Sequence, residues 1–294
     1  MSETCAEPEP VLDVTAADGD RFPLYGLAQR AADRPVVLVA PAMGTPAGFY
    51  RRFVRALHRE GATALVLDHR GNGRRRNVPR ATAYHHLADD LTAAISAVRG
   101  AYPGAPLALC GHSLGGQLAV LQAAVAADRG DPAPDALVLV AAGSVHHRAF
   151  GARSPGLLVA SRLMVLIAAV LGHWPGHRLG FGGRQPLGVI LDWAHQARTG
   201  RYRLAGADVE DLLPALRVPL LAVGVEGDRL APPRAVGHLC GKVPGTRPER
   251  RLYGPRDAGG ARLDHFSWAR HGERLAHDVV RWVEEVTGQA GAGG

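Results

Sequence analysis

Residues 111–115, GHSLG, have the G-x-S-x-G form in which a serine can act as a nucleophile. They follow an apolar run, Leu107–Cys110, that predicts a buried strand, and they precede an alanine-rich stretch, Gln117–Ala127, that predicts a helix. Such a sharp strand-to-helix turn holds its serine in a strained conformation and needs glycine two residues away on either side. The helix end also favours negative charge that develops there. The segment therefore predicts that Ser113 is a nucleophile.

A serine hydroxyl needs a base, and the base needs an acid that orients it. In chains with this turn, the acid and the histidine follow the serine in that order. Asp228 lies in a turn directly after the apolar run Leu220–Val225, and His265 lies in a loop before the last predicted helix. The interval between them has room for one helix and one strand. We therefore expect Asp228 to orient His265, and His265 to take the proton of Ser113.

Other acids and histidines are weaker candidates for these two roles. Glu226 would lie within the predicted strand, and His238 precedes the last strand. His271 and His277 lie at or in the last predicted helix. Asp264 is expected to be a loop acceptor of hydrogen bonds rather than the acid.

The negatively charged oxygen of an acyl-transfer intermediate needs two backbone N–H donors. Leu114, the residue after the serine, is expected to supply the first. The second is expected from the loop after the strand Val36–Ala40, whose sequence is PAMG at residues 41–44. We assign Met43 as this donor, and Gly44 gives the loop freedom to approach a substrate.

Strand and helix patterns alternate along the chain, because short apolar runs are separated by stretches with apolar residues at helical spacing. The predicted strands are Val11–Val14, Phe22–Leu27, Val36–Ala40, Ala64–Asp68, Leu107–Cys110, Ala136–Ala141, Leu220–Val225 and Arg250–Tyr253. The predicted helices cover Phe49–Leu57, Tyr84–Val98, Gln117–Ala127, Leu157–Leu171, Val189–Ala197 and Leu275–Val286. This alternation predicts an α/β fold with a mostly parallel sheet of about eight strands and helices on both faces.

The alternation is interrupted between residues 144 and 213. We expect residues 11–143 and 214–287 to form the core and residues 144–213 to be inserted as a helical lid. Residues 1–10 and 288–294 are expected to be flexible. The apolar run Leu163–Leu171 of the insert either lines an acyl pocket or forms the buried face of a lid helix. The arginines and histidines of the insert either meet an anionic substrate, such as a coenzyme A thioester, or form a solvated face.

The composition fits an ordinary globular protein, with 47% apolar and 21% charged residues in a chain of 294. The net charge is +7, but Lys242 is the only lysine, and the arginines are spread along the chain apart from Arg74–Arg76. A nucleic-acid-binding protein normally shows a concentrated basic stripe, so no nucleic-acid partner is expected. No metal or cofactor is expected either, since no ligand spacing recurs.

The cysteines, the N-terminal residues and the longest apolar run indicate the cellular compartment. The three cysteines show no pairing pattern, which fits a reducing compartment, and the N-terminus does not read as a signal peptide. The longest strongly apolar run, Leu163–Leu171, is too short to cross a bilayer. We therefore expect a cytoplasmic protein without a membrane partner.

The turn at 111–115, the acid turn at Asp228 and the histidine loop at His265 resemble those of the α/β-hydrolase superfamily, and the resemblance covers nearly the whole chain. Residues 68–73, DHRGNG, also match a D-x-R-G-x-G turn that is frequent in this superfamily and mainly structural, although members often continue with serine where this chain has Arg74. Many members have His-Gly where this chain has residues 41–42, Pro-Ala, a change that keeps the backbone donor.

A narrower resemblance links residues 41–44, Phe49–Phe53 and the insert at 172–202 to a group of bacterial hydrolases without a settled substrate. The resemblance implies the fold and the catalytic residues but no particular substrate. We expect a serine hydrolase that cleaves a carboxylic ester or thioester of a small molecule through an acyl-enzyme on Ser113. Two alternatives stay open. The same three residues could serve acyl transfer or carbon–carbon bond cleavage, or the chain could be a catalytically silent binding protein. The oligomeric state is left open.

Overall fold

The central element is an eight-stranded sheet, seen in a computed structural model that describes residues 9–31 and 33–291. The strands, in chain order, are β1 (Pro10–Thr15), β2 (Arg21–Leu27), β3 (Val36–Ala40), β4 (Thr63–Val66), β5 (Leu107–His112), β6 (Ala136–Val140), β7 (His173–Pro175), β8 (Arg184–Pro186), β9 (Arg203–Leu204), β10 (Ala207–Asp208), β11 (Leu220–Val225) and β12 (Glu249–Tyr253). The sheet has the order β1-β2-β4-β3-β5-β6-β11-β12, while β7–β8 and β9–β10 form two separate hairpins. Strand β2 runs in the opposite direction to the other seven strands of this sheet. The predicted mostly parallel sheet is therefore confirmed.

Helices cover both faces of this sheet. They are α1 (Arg51–Arg59), α2 (Tyr84–Ala101), α3 (Leu114–Arg129), α4 (Ser154–Leu171), α5 (Gly176–Leu179), α6 (Leu187–Thr199), α7 (Pro233–Cys240) and α8 (Glu273–Gly291). Val37 and Val39 of β3 pack in one apolar cluster with α1 and α8, and Val36 and Leu38 pack in the other with α2 and α3. Each strand residue points to the face opposite its neighbour, so a strand buried on both faces must be apolar throughout.

The two chain ends depart from the expected flexible segments at 1–10 and 288–294. Strand β1 already begins at Pro10, which pairs with Tyr25 of β2. Helix α8 continues to Gly291, because each further residue gains a backbone hydrogen bond and Gly288 costs only about 1 kcal/mol relative to alanine. Residues 1–8 and 292–294 lie outside the described residues.

The segment between β6 and β11 lies against the loop that follows β3. A Cβ atom added at Gly44 would lie 2.3 Å from the carbonyl carbon of Gly182, and one added at Gly183 would lie 2.6 Å from the Cα of Gly44. Two backbones touch there with no space for side chains, so the turn between β7 and β8 rests directly on residues 41–44.

A second support for residues 41–44 is the turn at residues 68–73. The Asp68 carboxylate accepts hydrogen bonds from the N–H groups of Ala47 (2.7 Å) and Arg74 (3.1 Å). The His69 ring donates from Nε2 to the Pro41 carbonyl at 3.0 Å. The turn therefore has the structural role that the resemblance implied.

A buried ion cluster fixes this turn to α2. Asp90 is fully buried, and its carboxylate lies 2.7 Å from Nη2 of Arg70 and 2.7 Å from Nη1 of Arg75. Arg70 also binds Asp18, whose side chain is about half exposed. A carboxylate shared by two buried guanidinium groups satisfies charges that would otherwise be costly to bury.

Replacement of Asp90 tests this cluster. Asp90→Ala removes the fully buried carboxylate shared by both guanidinium groups and leaves them only the partly exposed Asp18 and Asp20, so we expect the free energy of unfolding to fall by about 3 kcal/mol. Asp18→Ala removes a half-exposed partner of the same Arg70 and should cost less than about 1 kcal/mol. Urea denaturation of the two variants measures the difference, and equal losses would contradict the assignment.

Candidate active site

Ser113 lies in a strained turn between β5 and α3. Its φ of 53° and ψ of −114° are unusual for a residue with a side chain. A Cβ added at Gly111 would lie 2.3 Å from the Cα of Gly116, and one added at Gly115 would lie 2.0 Å from the carbonyl oxygen of Ala40. Glycine is therefore required at both positions, for the reason expected from the sequence.

The structure brings Ser113, His265 and Asp228 into one hydrogen-bonded chain. The Ser113 Oγ lies 2.9 Å from His265 Nε2, and His265 Nδ1 lies 2.8 Å from Asp228 Oδ2. The carboxylate accepts the Nδ1–H, so Nε2 keeps its lone pair and accepts the serine hydroxyl. The other oxygen of Asp228 accepts the N–H groups of Leu230 (2.7 Å) and Ala231 (2.9 Å), which fixes the acid in place.

The rival acids and histidines lie elsewhere. His277 binds Glu60 at the surface. Asp264 accepts two N–H groups within its own loop, as expected of a loop acceptor. Among the described residues, His265 alone hydrogen-bonds the Ser113 hydroxyl. Three further candidates make no such bond within that part of the chain: Glu226, His238 and His271.

The two expected oxyanion donors border the same cavity as Ser113. Met43 and Leu114 both line it. Leu114 is the first residue of α3, where a helix leaves its N–H groups unpaired. In the described ranges, neither N–H donates to another protein group. Two backbone donors next to Ser113 are thus available for a substrate oxygen.

A buried chain of hydrogen bonds, which sequence reasoning missed, connects the loop at 41–44 to the loop of His265. The Ala42 N–H donates to the Tyr50 hydroxyl at 2.8 Å, and that hydroxyl lies 2.7 Å from His112 Nδ1. His112 Nε2 lies 2.9 Å from the carbonyl oxygen of His265 and donates to it. The His112 ring therefore connects the loop at 41–44, through Tyr50, to the backbone of His265.

Burial keeps the side chains of both His112 and Tyr50 neutral. Burial, together with the nearby His265, lowers the pKa of His112 well below its ordinary value of 6.5. Burial likewise raises the pKa of the Tyr50 hydroxyl far above its ordinary value. A neutral imidazole has one donor and one acceptor nitrogen. In His112, Nδ1 accepts the Tyr50 hydroxyl and Nε2–H donates to the His265 carbonyl.

The cavity beside Ser113 has a volume of about 530 Å³, within the size range of ligand pockets. Its residues come from both the core and the insert, and they are almost all apolar. They are Ala42, Met43, Ser113, Leu114, Gln117, Val145, Phe150, Leu157, Ala160, Leu163, Met164, Ile167, Trp174, Leu179, Phe181, Gly182, Trp193, Leu230, His265 and Phe266. The apolar run of the insert therefore does line this cavity.

The few polar lining groups are already paired. Gln117 donates to the Gly143 carbonyl at 3.0 Å and accepts the Tyr202 hydroxyl at 3.1 Å. The Trp174 N–H donates to the Phe181 carbonyl at 2.8 Å. The described residues include no group of three or more histidine, cysteine or acidic side chains placed to hold a metal ion.

Tyr50→Phe tests the buried chain. The loss of one hydroxyl removes the hydrogen bonds that connect the loop at 41–44 to His112. We therefore expect kcat for the ester hydrolysis predicted from the sequence to fall about 10- to 100-fold with little change in KM. Tyr84→Phe is the matched control, because its buried hydroxyl has no hydrogen-bond partner in the described chain. Steady-state kinetics and melting temperatures of both variants are compared. Equal kcat values in the two variants would contradict a positioning role.

Two buried histidines make stability depend on pH. Burial lowers the pKa of His69 to about 4, and that of His112 is also lowered. The folded protein then binds fewer protons than the unfolded chain. The free energy of unfolding should therefore fall as the pH drops below about 6.5, by up to about 1.4 kcal/mol per pH unit for each histidine. Urea denaturation at several pH values measures how steeply the free energy of unfolding falls with pH. His69→Gln should make this fall shallower, and an unchanged fall would contradict a contribution from His69.

Comparisons with known proteins agree with this fold. Solved structures with the same fold include a soluble variant of monoglyceride lipase from Saccharomyces cerevisiae (TM-score 0.68, 16% identity, covering 97% of this chain and 98% of that one). They also include the enol-lactonase of Burkholderia xenovorans LB400 (0.60, 19%, 92% and 99%) and a thermophilic esterase of Thermogutta terrifontis (0.57, 19%, 96% and 99%). A search of curated protein sequences found no match.

A match to the sequence model of one protein family assigns this chain to that family. The model described as serine aminopeptidase, S33 (Hydrolase_4) matches residues 31–187, more than half of the chain. This range contains the strained serine turn and the loop at residues 41–44. The narrower resemblance to a group of bacterial hydrolases stays a prediction. The chain belongs to the α/β-hydrolase family described as serine aminopeptidase, S33.

Proposed function

We propose that this protein is a serine hydrolase that cleaves a carboxylic ester or thioester with an apolar acyl group. One observation carries the proposal: the hydrogen-bonded chain of Ser113, His265 and Asp228 borders a cavity lined almost entirely by apolar side chains. The chain supports a nucleophile, and the lining supports the kind of acyl group that would reach it.

The reaction follows from the geometry. His265 Nε2 takes the hydroxyl proton while Ser113 Oγ forms a bond to the acyl carbon, and Asp228 stabilises the charged ring. The N–H groups of Met43 and Leu114 hold the carbonyl oxygen while it is negative. The bond to the leaving oxygen or sulfur then breaks, and the leaving group takes the proton from His265. Water attacks the acyl-enzyme with His265 as base, which releases the acid and restores Ser113.

An apolar acyl group fits this cavity better than a peptide with a free amino terminus. A terminal ammonium group needs a carboxylate or several acceptors when it leaves water. None of the cavity-lining residues in the described chain is aspartate or glutamate. The family description mentions an aminopeptidase, but the lining favours an ester or thioester substrate.

Water has access to the cavity, which favours hydrolysis over acyl transfer. Four large lining residues are exposed to solvent as well: Leu163, Leu179, Leu230 and Phe266. An acyltransferase must keep water away from its acyl-enzyme. Since α4, β7 and α6 all contribute lining residues, we also propose that residues 144–213 act as the lid that shapes the acyl site.

A substitution within α4 tests the acyl site. Ile167 lines the cavity, whereas Val170 on the same helix points to solvent. Ile167→Trp should lower kcat/KM for a decanoyl p-nitrophenyl ester about tenfold or more and for the acetyl ester far less, because the larger ring fills the cavity. Val170→Trp is the matched control and should leave the chain-length preference as in the wild type.

Rates for the decanoyl and acetyl esters test the acyl site and the serine mechanism separately. A uniform loss for both esters in Ile167→Trp would contradict the acyl site. Ester cleavage that survives in Ser113→Ala would contradict the serine mechanism, whichever acyl group is used.

A further inference from the structure

Helix α4 exposes a long apolar stripe. Val159, Leu163, Leu166 and Val170 recur at spacings of four, three and four residues, which places them on one face of the helix. Their exposed fractions are 55%, 52%, 60% and 77%. The opposite face is buried at Ser161, Met164 and Ala168. A helix that is apolar on all sides is normally covered on all sides, so this face lacks a cover.

The stripe continues into the rim of the cavity. Leu163 belongs to the stripe and also lines the cavity, and Leu179 is 55% exposed and lines it too. Any surface that covers α4 would therefore lie at the opening toward Ser113. An apolar acyl chain could then pass from that surface into the cavity without crossing water.

The charges of the segment that contains α4 distinguish between the possible covers. Residues 144–191 contain no aspartate or glutamate and five arginines, all of them exposed: Arg148, Arg153, Arg162, Arg178 and Arg184. Two copies of this segment would repel each other across a dimer interface. An anionic lipid surface attracts it, by about 1 kcal/mol for each arginine near the surface.

The helix is placed to lie on a membrane rather than to cross it. The helical segment His147–Leu171 is long and apolar enough to span a bilayer by length and composition alone. It is broken at Gly151, whose φ of 57° and ψ of −126° are not helical. One face of α4 packs on α6 and β7, and that face would have to detach before the helix could be surrounded by lipid.

We propose that α4 docks this protein onto an anionic lipid membrane. The helix lies in the plane of the interface, with the stripe Val159, Leu163, Leu166 and Val170 inserted at the acyl boundary. Arg162, on α4 itself, and the other exposed arginines of residues 144–191 attract the lipid phosphates. The sequence alone had indicated no membrane partner, because it does not show which face of an all-apolar helix is left open.

Co-sedimentation with vesicles tests the proposal without any turnover. The full chain is mixed with vesicles of phosphatidylcholine alone or of an equimolar mixture with phosphatidylglycerol. We expect the protein to sediment with the mixed vesicles and much less with the neutral ones. The triple variant Val159→Ser, Leu166→Ser and Val170→Ser, none of whose positions lines the cavity, should lower the partition coefficient about tenfold or more.

Two further variants make the test specific. Leu252→Ser is the matched control, since Leu252 is 63% exposed on the edge strand β12 and should not affect sedimentation. Arg162→Gln combined with Arg178→Gln should weaken binding to mixed vesicles and leave the weak binding to neutral vesicles unchanged. Circular dichroism checks that all variants are folded.

Two results would overturn the proposal. The first is a folded wild type that stays in the supernatant with mixed vesicles. The second is a wild-type dimer in light scattering that becomes a monomer in the triple variant, because a second copy would then cover α4. Loss of esterase activity with intact sedimentation would count against the proposed function only.

Discussion

The site depends on a close contact between backbones at the serine turn. The first turn of helix α3 lies so close to the end of strand β3 that a methyl group at Gly115 would lie 2.0 Å from the carbonyl oxygen of Ala40. That contact holds Ser113 at a positive φ and brings its hydroxyl within 2.9 Å of His265. It also places the end of β3, and therefore the loop at 41–44, beside the serine. The nucleophile and the expected oxyanion donors are thus set by one constraint.

Precise placement of the remaining parts comes from polar groups buried around this contact. His112 and Tyr50 connect the loop at 41–44 with the backbone of His265. His69 binds the Pro41 carbonyl from the other side. Neutral, hydrogen-bonded groups in a low-dielectric interior hold geometry strictly, because a broken bond there is not replaced by water. The cavity itself, by contrast, needs only apolar packing.

Much of this arrangement could be predicted from local patterns. The turn at 111–115, the position of Asp228 after β11 and that of His265 before α8 each depend on a motif next to a strand or helix, and the structure brings these side chains together. The link from Tyr50 to His112 could not be predicted, because it joins residues 62 positions apart through side-chain geometry. The exposed face of α4 could not be predicted either, because an all-apolar helix has no hydrophobic periodicity that shows which side faces solvent. The helix at Gly288–Gly291 was missed because glycine weakens a helix without ending it.

We infer that the strained turn and its hydrogen bond to His265 make Ser113 an activated nucleophile. Labelling with a fluorophosphonate, followed by intact-mass measurement, tests it without any choice of substrate. We expect one adduct per wild-type chain, none on Ser113→Ala, and much slower labelling of Asp228→Asn, in which His265 loses its anionic partner. A folded wild-type protein that forms no adduct, or an adduct that persists in Ser113→Ala, would contradict it.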